Sequence, residues 1–409
     1  MRVLFLCHRV PHPPNKGDKI RAFHELQAIG SRHEVDLFTL ADCAADLNED
    51  VALRRYCRQV TVLPHNPRLA RLRSLPDILT RKPLSVGCFY SKELDLRIEE
   101  AVSQRSYDRV FVYCSSMVQY VRWAEGIQTL VDIVDVDSDK WMQYASVRCF
   151  PLSAVYRREG RTLEAYEKAV YRRFPIIVST EREAQLVSRA WDKTEVHSVP
   201  NGVDTNYFAP AEPNTSPEYP TVIFVGDMAY FPNEEAVTFF ALKVFNEVRQ
   251  SVPGARFLIV GRDPSARIRR LQEISGVSVT GSVPDVRPYL AKAHVSVAPF
   301  SIATGIQNKV LEAMASGLPV VATPRAAQGL SKSVAQSIAI GQTAQELADC
   351  VVALLKAPKD AVAKGLEGRR RVDAEYSWER SMEKVVDLLE AGNPEHLHEK
   401  AISVSPGNV

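Results

Sequence analysis

The stretch PFSIATGIQNKVLEAMASGLPVVAT, from Pro299 to Thr323, decides the fold of this chain. It predicts the end of a strand, a turn around Gly305, a helix, and a second, buried strand over residues 320–322. Apolar residues at helical spacing give the helix one face that packs on a sheet. A strand, a helix and another strand in this order indicate a βαβ unit of a parallel sheet.

The same stretch also suggests an anion site. The segment Ser301 to Gly305 is small and polar, so its backbone N–H groups can approach a ligand closely. A helix N-terminus attracts phosphate through its unpaired N–H groups and its dipole, and Lys309 adds a positive charge there. Glu312 lies three positions further along the helix and suits a pair of sugar hydroxyls. The alternative is an ordinary surface helix on which Lys309 and Glu312 are solvated.

Length and composition favour a soluble protein of two domains. The chain has 409 residues, which is too many for one core, and contains 45% hydrophobic and 24% charged residues. No apolar run approaches the length of a membrane span, so neither a spanning helix nor a cleaved signal is expected. The seven cysteines lack CxxC spacing and the histidines form no HExxH motif. This pattern favours reduced thiols in a cytoplasmic protein and no bound metal.

Short apolar runs alternate with helical patterns in both halves of the chain. They predict strands at Val3–Cys7, Val35–Leu40, Val60–Leu63, Arg109–Tyr113, Thr129–Val134 and Ile176–Ser179, then at Thr221–Val225, Arg256–Val260, Val277–Thr280, Val295–Ala298 and Pro319–Ala322. This alternation predicts an α/β protein of two Rossmann-like, doubly wound domains that face a cleft. We place the domains at 1–200 and 201–376, a crossover helix at 377–392 and a disordered tail at 393–409.

Positive charge is concentrated between Arg54 and Lys82, where eight basic residues accompany one acid, Asp77. Leucine and isoleucine residues interleave with the arginines at helical spacing. A basic amphipathic segment of this kind suits an anionic membrane surface. The alternative is a helix packed on the core with arginines extending into solvent. A second basic stretch, from Tyr156 to Arg173, contains three glutamates and indicates a solvated helix face. Base-reading aromatic motifs are absent, so no nucleic acid partner is expected.

Six ordered blocks of sequence carry a resemblance to a known family. They are HRVPHPPNKGDKIRAFHEL from His8, VDIVDVDSDKW from Val131, VPNGVDTNYF from Val199, FVGDMAYFPNEEAV from Phe224, VTGSVPDVRPYL from Val279 and GIQNKVLEAMASG from Gly305. Over about residues 1–390 the chain resembles the retaining glycosyltransferases of family 4, which have the GT-B fold. It is especially similar to the sugar transferases associated with exopolysaccharide loci of the PEP-CTERM/exosortase system.

The resemblance implies an enzyme that moves a sugar, with retention and without a metal or cofactor, from a UDP- or GDP-linked donor. The acceptor would be a lipid-linked or polysaccharide hydroxyl in exopolysaccharide biosynthesis. The first three blocks would lie on the acceptor side and the last three on the nucleotide-sugar side. A C-terminal helix would return to the N-terminal domain, and the enzyme would be cytoplasmic, peripheral at the inner face of the membrane.

Matching the motifs residue by residue gives a candidate site. The donor-binding residues would be Gly17, Gly226, Arg262, Val283, Thr304, Gly305, Ile306, Gln307, Asn308 and Glu312. The catalytic residues would be Asp135 and Lys309. Gly17 opens the helix after the first strand, where a glycine lets the backbone approach a diphosphate, although a plain βα turn is the alternative. Arg262 follows a strand and is either a donor contact or a solvated loop cation.

The chain departs from the broader family at three places. Many members carry a glutamate eight positions before Glu312, where this chain has Thr304. The Arg and Lys pair that usually follows Gly226 is missing, which leaves Lys309 as the main expected diphosphate cation. Asp135 aligns with a catalytic-site His of many relatives and could accept a proton. Asp137 is the neighbouring candidate, and a helix N-cap cluster is the structural alternative.

Two other functions stay open. A GT-B nucleotide-sugar 2-epimerase of the non-hydrolysing type would need no acceptor, and Thr304 leaves room for a catalytically inactive nucleotide-sugar-binding protein. A dinucleotide oxidoreductase would need GxGxxG after the first strand, where this chain has Cys7-His8-Arg9-Val10-Pro11. The donor base, the sugar, the acceptor and the oligomeric state are not defined by the sequence.

Overall fold

The computed structural model describes residues 1–210 and 219–391, without the side chains of Asp50, Arg71, Leu75 and Leu79. The predicted disordered tail, residues 393–409, lies outside this part. The chain forms two compact units. The first contains Met1–Val178, Glu183–Val199 and the chain from Glu379 onward, and the second contains Ser179–Arg182 and Pro200–Trp378.

The first unit contains a parallel sheet of seven strands within the described residues. These are β1 (Arg2–Cys7), β2 (Glu34–Ala41), β3 (Gln59–Pro64), β4 (Arg109–Tyr113), β5 (Gln128–Val134), β6 (Ile176–Val178) and β7 (Val196–Ser198). Their order is β3-β2-β1-β4-β5-β6-β7. The six predicted strands are confirmed. The edge strand β7 was not predicted because three half-buried residues are too few to show a periodic pattern.

Helices connect these strands along the chain. They are α1 (Gly17–Arg32), α2 (Asp50–Leu53), α3 (Pro67–Ser74), α4 (Leu84–Cys88), α5 (Lys92–Gln104), α6 (Asp137–Val147), α7 (Leu152–Tyr171) and α8 (Glu181–Ala190), with 3₁₀ segments at Ala45–Asn48, Leu75–Leu79 and Ser115–Ala124. The central strands β1, β4 and β5 consist of almost continuous buried residues, as expected for a parallel sheet that is covered on both faces.

The second unit repeats this architecture with six parallel strands. They are β8 (Thr221–Val225), β9 (Arg256–Val260), β10 (Val277–Val279), β11 (Val295–Ala298), β12 (Val320–Ala322) and β13 (Ala339–Ile340), in the order β10-β9-β8-β11-β12-β13. All five predicted strands are present, and the two-residue edge strand β13 was not predicted.

The helices of the second unit pack on both faces of this sheet. They are α9 (Phe231–Phe239), α10 (Phe245–Ser251), α11 (Ala266–Arg270), α12 (Arg287–Leu290), α13 (Asn308–Ala315), α14 (Pro324–Ala327), α15 (Lys332–Ala335), α16 (Ala344–Lys356) and α17 (Pro358–Glu375), with a π segment at Phe240–Val244 and a 3₁₀ segment at Leu271–Glu273. Each unit therefore has the strand order of a doubly wound Rossmann-like domain.

The last helix, α18 (Trp378–Glu390), completes the first unit although it follows the second in sequence. The guanidinium of Arg109 in β4 donates to the carbonyl of Leu389 at 3.0 Å. Nε2 of His33 lies 2.8 Å from the carboxylate of Glu390. This arrangement confirms the predicted return of a C-terminal helix to the N-terminal domain.

Across the described ranges, no helix combines the length and the hydropathy that a membrane span requires.

Candidate active site

The sheet of the second unit reverses its strand order between β8 and β11, and two loops follow these strands. Residues 226–230 lead from β8 into α9, and residues 299–307 lead from β11 into α13. In doubly wound sheets, ligands bind in the crevice outside the carboxyl ends of the strands where the order reverses. The predicted donor-binding residues of this unit therefore lie beyond the carboxyl ends of the strands, which is where ligands bind in such sheets.

Gly226 lies directly against the backbone that follows β9. Its N–H donates to the carbonyl of Val260 at 3.0 Å, and the N–H of Met228 donates to the carbonyl of Arg262 at 3.0 Å. A Cβ on Gly261 would lie 1.6 Å from the carbonyl oxygen of Gly226. Only glycine fits at position 261, because any side chain there would push the two loops apart.

The loop 299–307 is fixed by hydrogen bonds from the strand and turn that follow α13. The Thr323 hydroxyl donates to the carbonyl of Phe300 at 2.7 Å, and the Gln328 amide donates to the carbonyl of Ala303 at 2.9 Å. Gly305 has a φ of 57°, which is the left-handed region that glycine adopts without strain. The loop is thus preformed rather than dependent on a ligand for its shape.

Helix α13 begins at Asn308 directly after this loop. Its N-cap residue, Gln307, makes no side-chain capping hydrogen bond, and the Gln307 amide instead donates to the carbonyl of Thr304 at 3.0 Å. The Asn308 side chain accepts from the Asn201 amide at 2.9 Å. The side chains of Thr304 and Ile306 are buried. An uncapped helix N-terminus on a fixed loop attracts an anion.

Lys309 lies on the first turn of α13 over two aromatic rings. Its ammonium is 4.8 Å from the ring centre of Phe300 and 5.8 Å from that of Phe224. Burial lowers the pKa of Lys309 to about 8, although the negative charges of Glu312 and Asp227 oppose this shift. Within residues 1–210 and 219–391 the ammonium makes no ion pair. A partly desolvated cation that makes no ion pair is poised to bind an anionic ligand.

Glu312 lies one turn after Lys309, and its carboxylate makes no hydrogen bond or ion pair with any residue that the structure describes. Burial raises its pKa, and the positive charge of Lys309 partly offsets that effect. A carboxylate in this state can accept hydrogen bonds from a pair of hydroxyls.

Arg262 follows β9, as predicted, but its guanidinium is already engaged. It donates to Asp227 through Nε at 3.0 Å and through a terminal nitrogen at 2.9 Å. The sequence left open a donor contact or a solvated cation, and the structure shows an ion pair with the loop after β8. Val283 follows β10 and packs in a small apolar cluster with Ile223 and Leu290.

In the first unit the predicted residue Gly17 is the first residue of α1. Asp18 beside it accepts from Arg9 at 2.6 Å, and Arg9 also donates to Asp42 at 2.6 Å. Burial alone would raise the pKa of Asp18, but contacts with His8 and Arg9 outweigh burial and hold it well below its usual range. The charges of Arg9, Asp18 and Asp42 therefore offset one another. The backbone at Gly17 and the exposed Lys16 directly before it remain as means of binding an anion.

The carboxyl end of β5 carries the three acids of the predicted catalytic segment, in three different settings. Asp132 is fully buried and accepts from Arg21 at 2.8 and 2.5 Å. Asp137 pairs with Lys140 at 2.8 Å. Asp135 lies between them and is partly exposed. Its backbone N–H donates to the carbonyl of Ile133 at 2.7 Å.

The backbone before Asp135 adopts a rare conformation. Val134 has a φ of 63°, which is unusual for a β-branched residue, and its N–H donates to the Asp132 carboxylate at 2.7 Å. Residues held in such conformations concentrate at functional sites. Helix α6 has Val136 as its N-cap and no side-chain capping hydrogen bond, so the three acids do not form the N-cap cluster that was the alternative interpretation.

The sequence did not predict the residues that hold Asp132 and Lys309 in position. Nothing in the sequence connects Arg21 to Asp132, because 111 positions separate them. The ring pair Phe224 and Phe300 under Lys309 was likewise not predicted. The signal that could have found the rings is their position at the ends of β8 and β11, the two neighbouring strands where the order reverses.

Comparisons with known proteins match the second unit to a family and both units to a fold. Residues 219–357 match the family model described as "Glycosyl transferases group 1". A GDP-mannose-dependent alpha-(1-6)-phosphatidylinositol monomannoside mannosyltransferase of Mycobacterium tuberculosis is 26% identical over 235 residues, which are 52% of this chain and 60% of that protein. The chain spans about half the length of the curated relatives it matches.

Solved structures match nearly the whole chain. Sucrose-phosphate synthase from Thermosynechococcus elongatus has a TM-score of 0.69 at 19% identity, covering 99% of this chain and 100% of that one. Anabaena Alr3699/HepE in complex with UDP-glucose has a TM-score of 0.67 at 14% identity, covering 96% and 100%. The chain therefore has the GT-B fold of two Rossmann-like domains, and its second unit matches the group 1 glycosyl transferases.

Proposed function

We propose that this chain is a glycosyltransferase that moves a sugar from a nucleoside diphosphate donor to a hydroxyl of a lipid-linked or polysaccharide acceptor. The proposed reaction retains the anomeric configuration and needs no metal or cofactor. The six sequence blocks described above are the basis for placing it in exopolysaccharide biosynthesis. The similarity to a GDP-mannose-dependent enzyme and to a structure with bound UDP-glucose supports a nucleotide-sugar donor and leaves both bases as candidates.

The single observation that carries this proposal is the state of Lys309. An ammonium that is partly buried, rests over Phe224 and Phe300 and makes no ion pair among the described residues is costly unless an anion binds beside it. The uncapped N-terminus of α13 directs backbone N–H groups to the same place. A donor diphosphate would supply an anion with which this ammonium can pair.

The roles of the site residues follow from this placement. Lys309 and the N–H groups at Gly305 to Gln307 would stabilise the charge that develops on the leaving diphosphate, which is the main protein contribution when no dedicated nucleophile is used. Glu312 would accept hydrogen bonds from ribose hydroxyls. In a retaining reaction the donor phosphate can take the acceptor proton, and Asp135 would orient the acceptor hydroxyl or receive that proton.

Thr304 sets this chain apart within the proposed function. Many relatives place a carboxylate there to hold the donor sugar, whereas Thr304 carries a buried hydroxyl. The sugar hydroxyls must then be recognised by backbone groups of the loop 299–307 or by groups of the acceptor side. We expect the accepted sugar to differ from that of relatives that keep the glutamate.

The acceptor is proposed to be bound at an anionic membrane, with the enzyme peripheral at the cytoplasmic face. Helix α3 supports this part of the proposal. Arg68 and Arg73 are exposed on it, and so are Leu69 and Leu72. The exposure of these two leucines favours the membrane interpretation over a helix that packs all of its apolar residues on the core. Exposed leucines between arginines are typical of surfaces that contact anionic lipid.

A donor screen tests the proposed function. Thermal unfolding is measured with UDP, GDP and their glucose, mannose and N-acetylglucosamine derivatives, since a ligand that binds only the folded protein raises stability with its concentration. The Lys309→Ala variant should lose the shift. Lys292→Ala is the matched control. Lys292 is exposed and lies before the amino-terminal end of β11, whereas the candidate site lies at the carboxyl ends of the strands.

Product analysis then separates the alternatives. The donor that stabilises the protein is incubated with and without a membrane extract as the source of acceptor. Sugar transfer only when the extract is present supports the proposal. Conversion of the donor to its 2-epimer without acceptor identifies the epimerase instead. Stabilisation by the donor with neither reaction identifies an inactive binding protein.

A further inference from the structure

Helices α6 and α7 form an antiparallel hairpin whose end carries exposed apolar side chains. Phe150, in the connection between the helices, is 83% exposed. Val147, Leu152 and Val155 around it are also exposed, and Met142 lies one turn earlier on α6. We call residues 147–155 the hairpin tip. Single exposed apolar residues are ordinary, but a cluster of them at the end of one hairpin indicates an interaction surface.

The hairpin is held rigid behind its tip. Trp141 and Tyr156 pack with ring centres 5.2 Å apart, and Tyr144 contacts both rings. Deeper in the hairpin, the Glu167 carboxylate accepts from the Ser138 hydroxyl at 2.5 Å. The apolar side chains of the tip are thus presented by a preformed support, and binding through them would not require the helices to order.

The hairpin tip shares a surface with the basic segment that follows α3. The Arg158 guanidinium, one turn after Val155, donates to the carbonyls of Thr80 at 2.6 Å and Lys82 at 3.0 Å. Ile78 in that segment is exposed as well. The backbone of residues 80–82 therefore lies against the start of α7 within the first unit.

The charges around this surface are mainly positive. The exposed cations are Arg68, Arg73, Arg81, Lys82, Arg157 and Arg161. Of the acids nearby, Glu164 pairs with Lys168 at 2.7 Å, and Asp77 is partly buried. Apolar side chains surrounded by cations complement the apolar interior and the anionic headgroups of a bilayer. A protein partner with an apolar patch alone would not account for the excess of positive charge.

We propose that the hairpin tip inserts into an anionic lipid bilayer, with Phe150 as its deepest residue and the flanking arginines at the headgroups. This inference rests on the membrane-bound acceptor of the proposed function and adds an apolar anchor to the basic helix α3. Binding to the bilayer would then have an electrostatic and an apolar contribution. The arginines supply attraction that salt screens, whereas Phe150 and Leu152 supply burial of apolar surface that salt does not weaken.

The test is flotation of the full chain with vesicles of phosphatidylglycerol and phosphatidylcholine at 50 and 500 mM salt. We expect the wild type to retain a measurable bound fraction at high salt. Phe150→Ser with Leu152→Ser should lower the partition coefficient at least tenfold at both salt concentrations. Arg68→Glu with Arg73→Glu should lower it mainly at low salt. Leu242→Ser with Val362→Ser, which removes two exposed apolar residues from the second unit, is the matched control and should bind as wild type.

A fluorescence measurement locates the anchor directly. Phe150→Trp keeps an aromatic residue at the tip, so it should bind as wild type, and its added emission should be quenched by brominated lipid acyl chains. Light scattering of the wild type and of the serine pair gives the oligomeric state. Unchanged flotation of the serine pair, or no quenching in Phe150→Trp, would overturn the proposal. A wild-type dimer that the serine pair dissociates would overturn it as well, because the tip would then be an interface between copies.

Two measurements test the proposed function independently of vesicle binding: stabilisation by the donor, and sugar transfer to a water-soluble acceptor. Both should persist in the serine pair, since the tip is not placed in the donor site. If the wild type binds vesicles through the tip but transfers no sugar from any donor, the anchor stands and the proposed function fails. If transfer occurs and no variant affects flotation, the function stands and the anchor fails.

Discussion

Replacing Lys309 with Met separates the charge of this residue from its packing. Methionine has an unbranched side chain of similar reach, so it can still cover Phe224 and Phe300, but it carries no charge. We expect the variant to show opposite effects on activity and stability. Sugar transfer should fall while the fold becomes more stable, because a group that serves a ligand is costly when the ligand is absent.

The structure sets the size of both effects. Removing a positioned charge from a site where a leaving group gains charge costs about 2–4 kcal/mol of transition-state stabilisation, or roughly 30- to 1,000-fold in turnover. The pKa of Lys309 falls from 10.5 to about 8 on burial. At about 1.4 kcal/mol per pKa unit the full shift would be roughly 3 kcal/mol, and partial exposure reduces the expected gain in stability to about 1–2 kcal/mol.

The pH dependence of stability is an independent test of whether the charge of Lys309 destabilises the fold. The unfolded lysine holds its proton more tightly than the folded one, so the free energy of unfolding of the wild type should rise as pH increases from about 8 to 10.5. Lys309→Met has no proton to lose and should lack this rise. Donor affinity of the wild type should weaken over the same range, because deprotonation removes the charge that binds the diphosphate.

Initial rates at saturating donor and thermal unfolding between pH 7 and 10 measure these effects, with Lys292→Met as the control. Turnover of Lys309→Met within threefold of wild type would remove this residue from the mechanism. A lower melting temperature at pH 7, combined with an unchanged pH profile, would show that the ammonium is not desolvated and that the reasoning from its burial is wrong.

Three further predictions concern the remaining site residues. Glu312→Gln should weaken binding of the free nucleoside diphosphate by about 1.5–3 kcal/mol in calorimetry, and unchanged affinity would make it a plain surface residue. Asp135→Asn should reduce transfer with donor affinity nearly constant, whereas an active Asp135→Asn beside an inactive Asp137→Asn would exchange their roles. Gly261→Ala should lower stability by more than about 2 kcal/mol and weaken donor binding, because its Cβ would lie 1.6 Å from the carbonyl oxygen of Gly226; a melting temperature equal to wild type would refute the close packing.

The fold could be predicted almost entirely because buried parallel strands leave a local signal. Runs such as Val3–Cys7 and Val295–Ala298 are apolar throughout and are bounded by turn residues. The edge strands Val196–Ser198 and Ala339–Ile340 left no such signal because they are short and only partly buried. Their pairing depends on the neighbouring strand, which is tertiary information.

The sequence predicted where the residues of the candidate site lie along the chain, but not which charged residues pair with one another. The turn and helix around Lys309 follow from local sequence, and the structure has them where they were expected. Arg262 was ambiguous because its partner, Asp227, lies 35 positions away and meets it only once β8 and β9 are paired. The hairpin tip escaped notice because Val147, Phe150 and Leu152 look like ordinary core residues until the structure shows them exposed.

The return of α18 to the first unit has a consequence for how the chain folds during synthesis. Arg109 meets the carbonyl of Leu389 across 280 positions, and Lys384 donates to the carbonyl of Ser198 across 186. The first unit is synthesised first, but it is complete only when the last helix has been made. All strands of the second unit are synthesised before that helix. Contacts over such separations form slowly. Folding of the N-terminal half should be limited by completion of the chain, and truncation before Trp378 should leave that half open to proteolysis although its seven strands are all present.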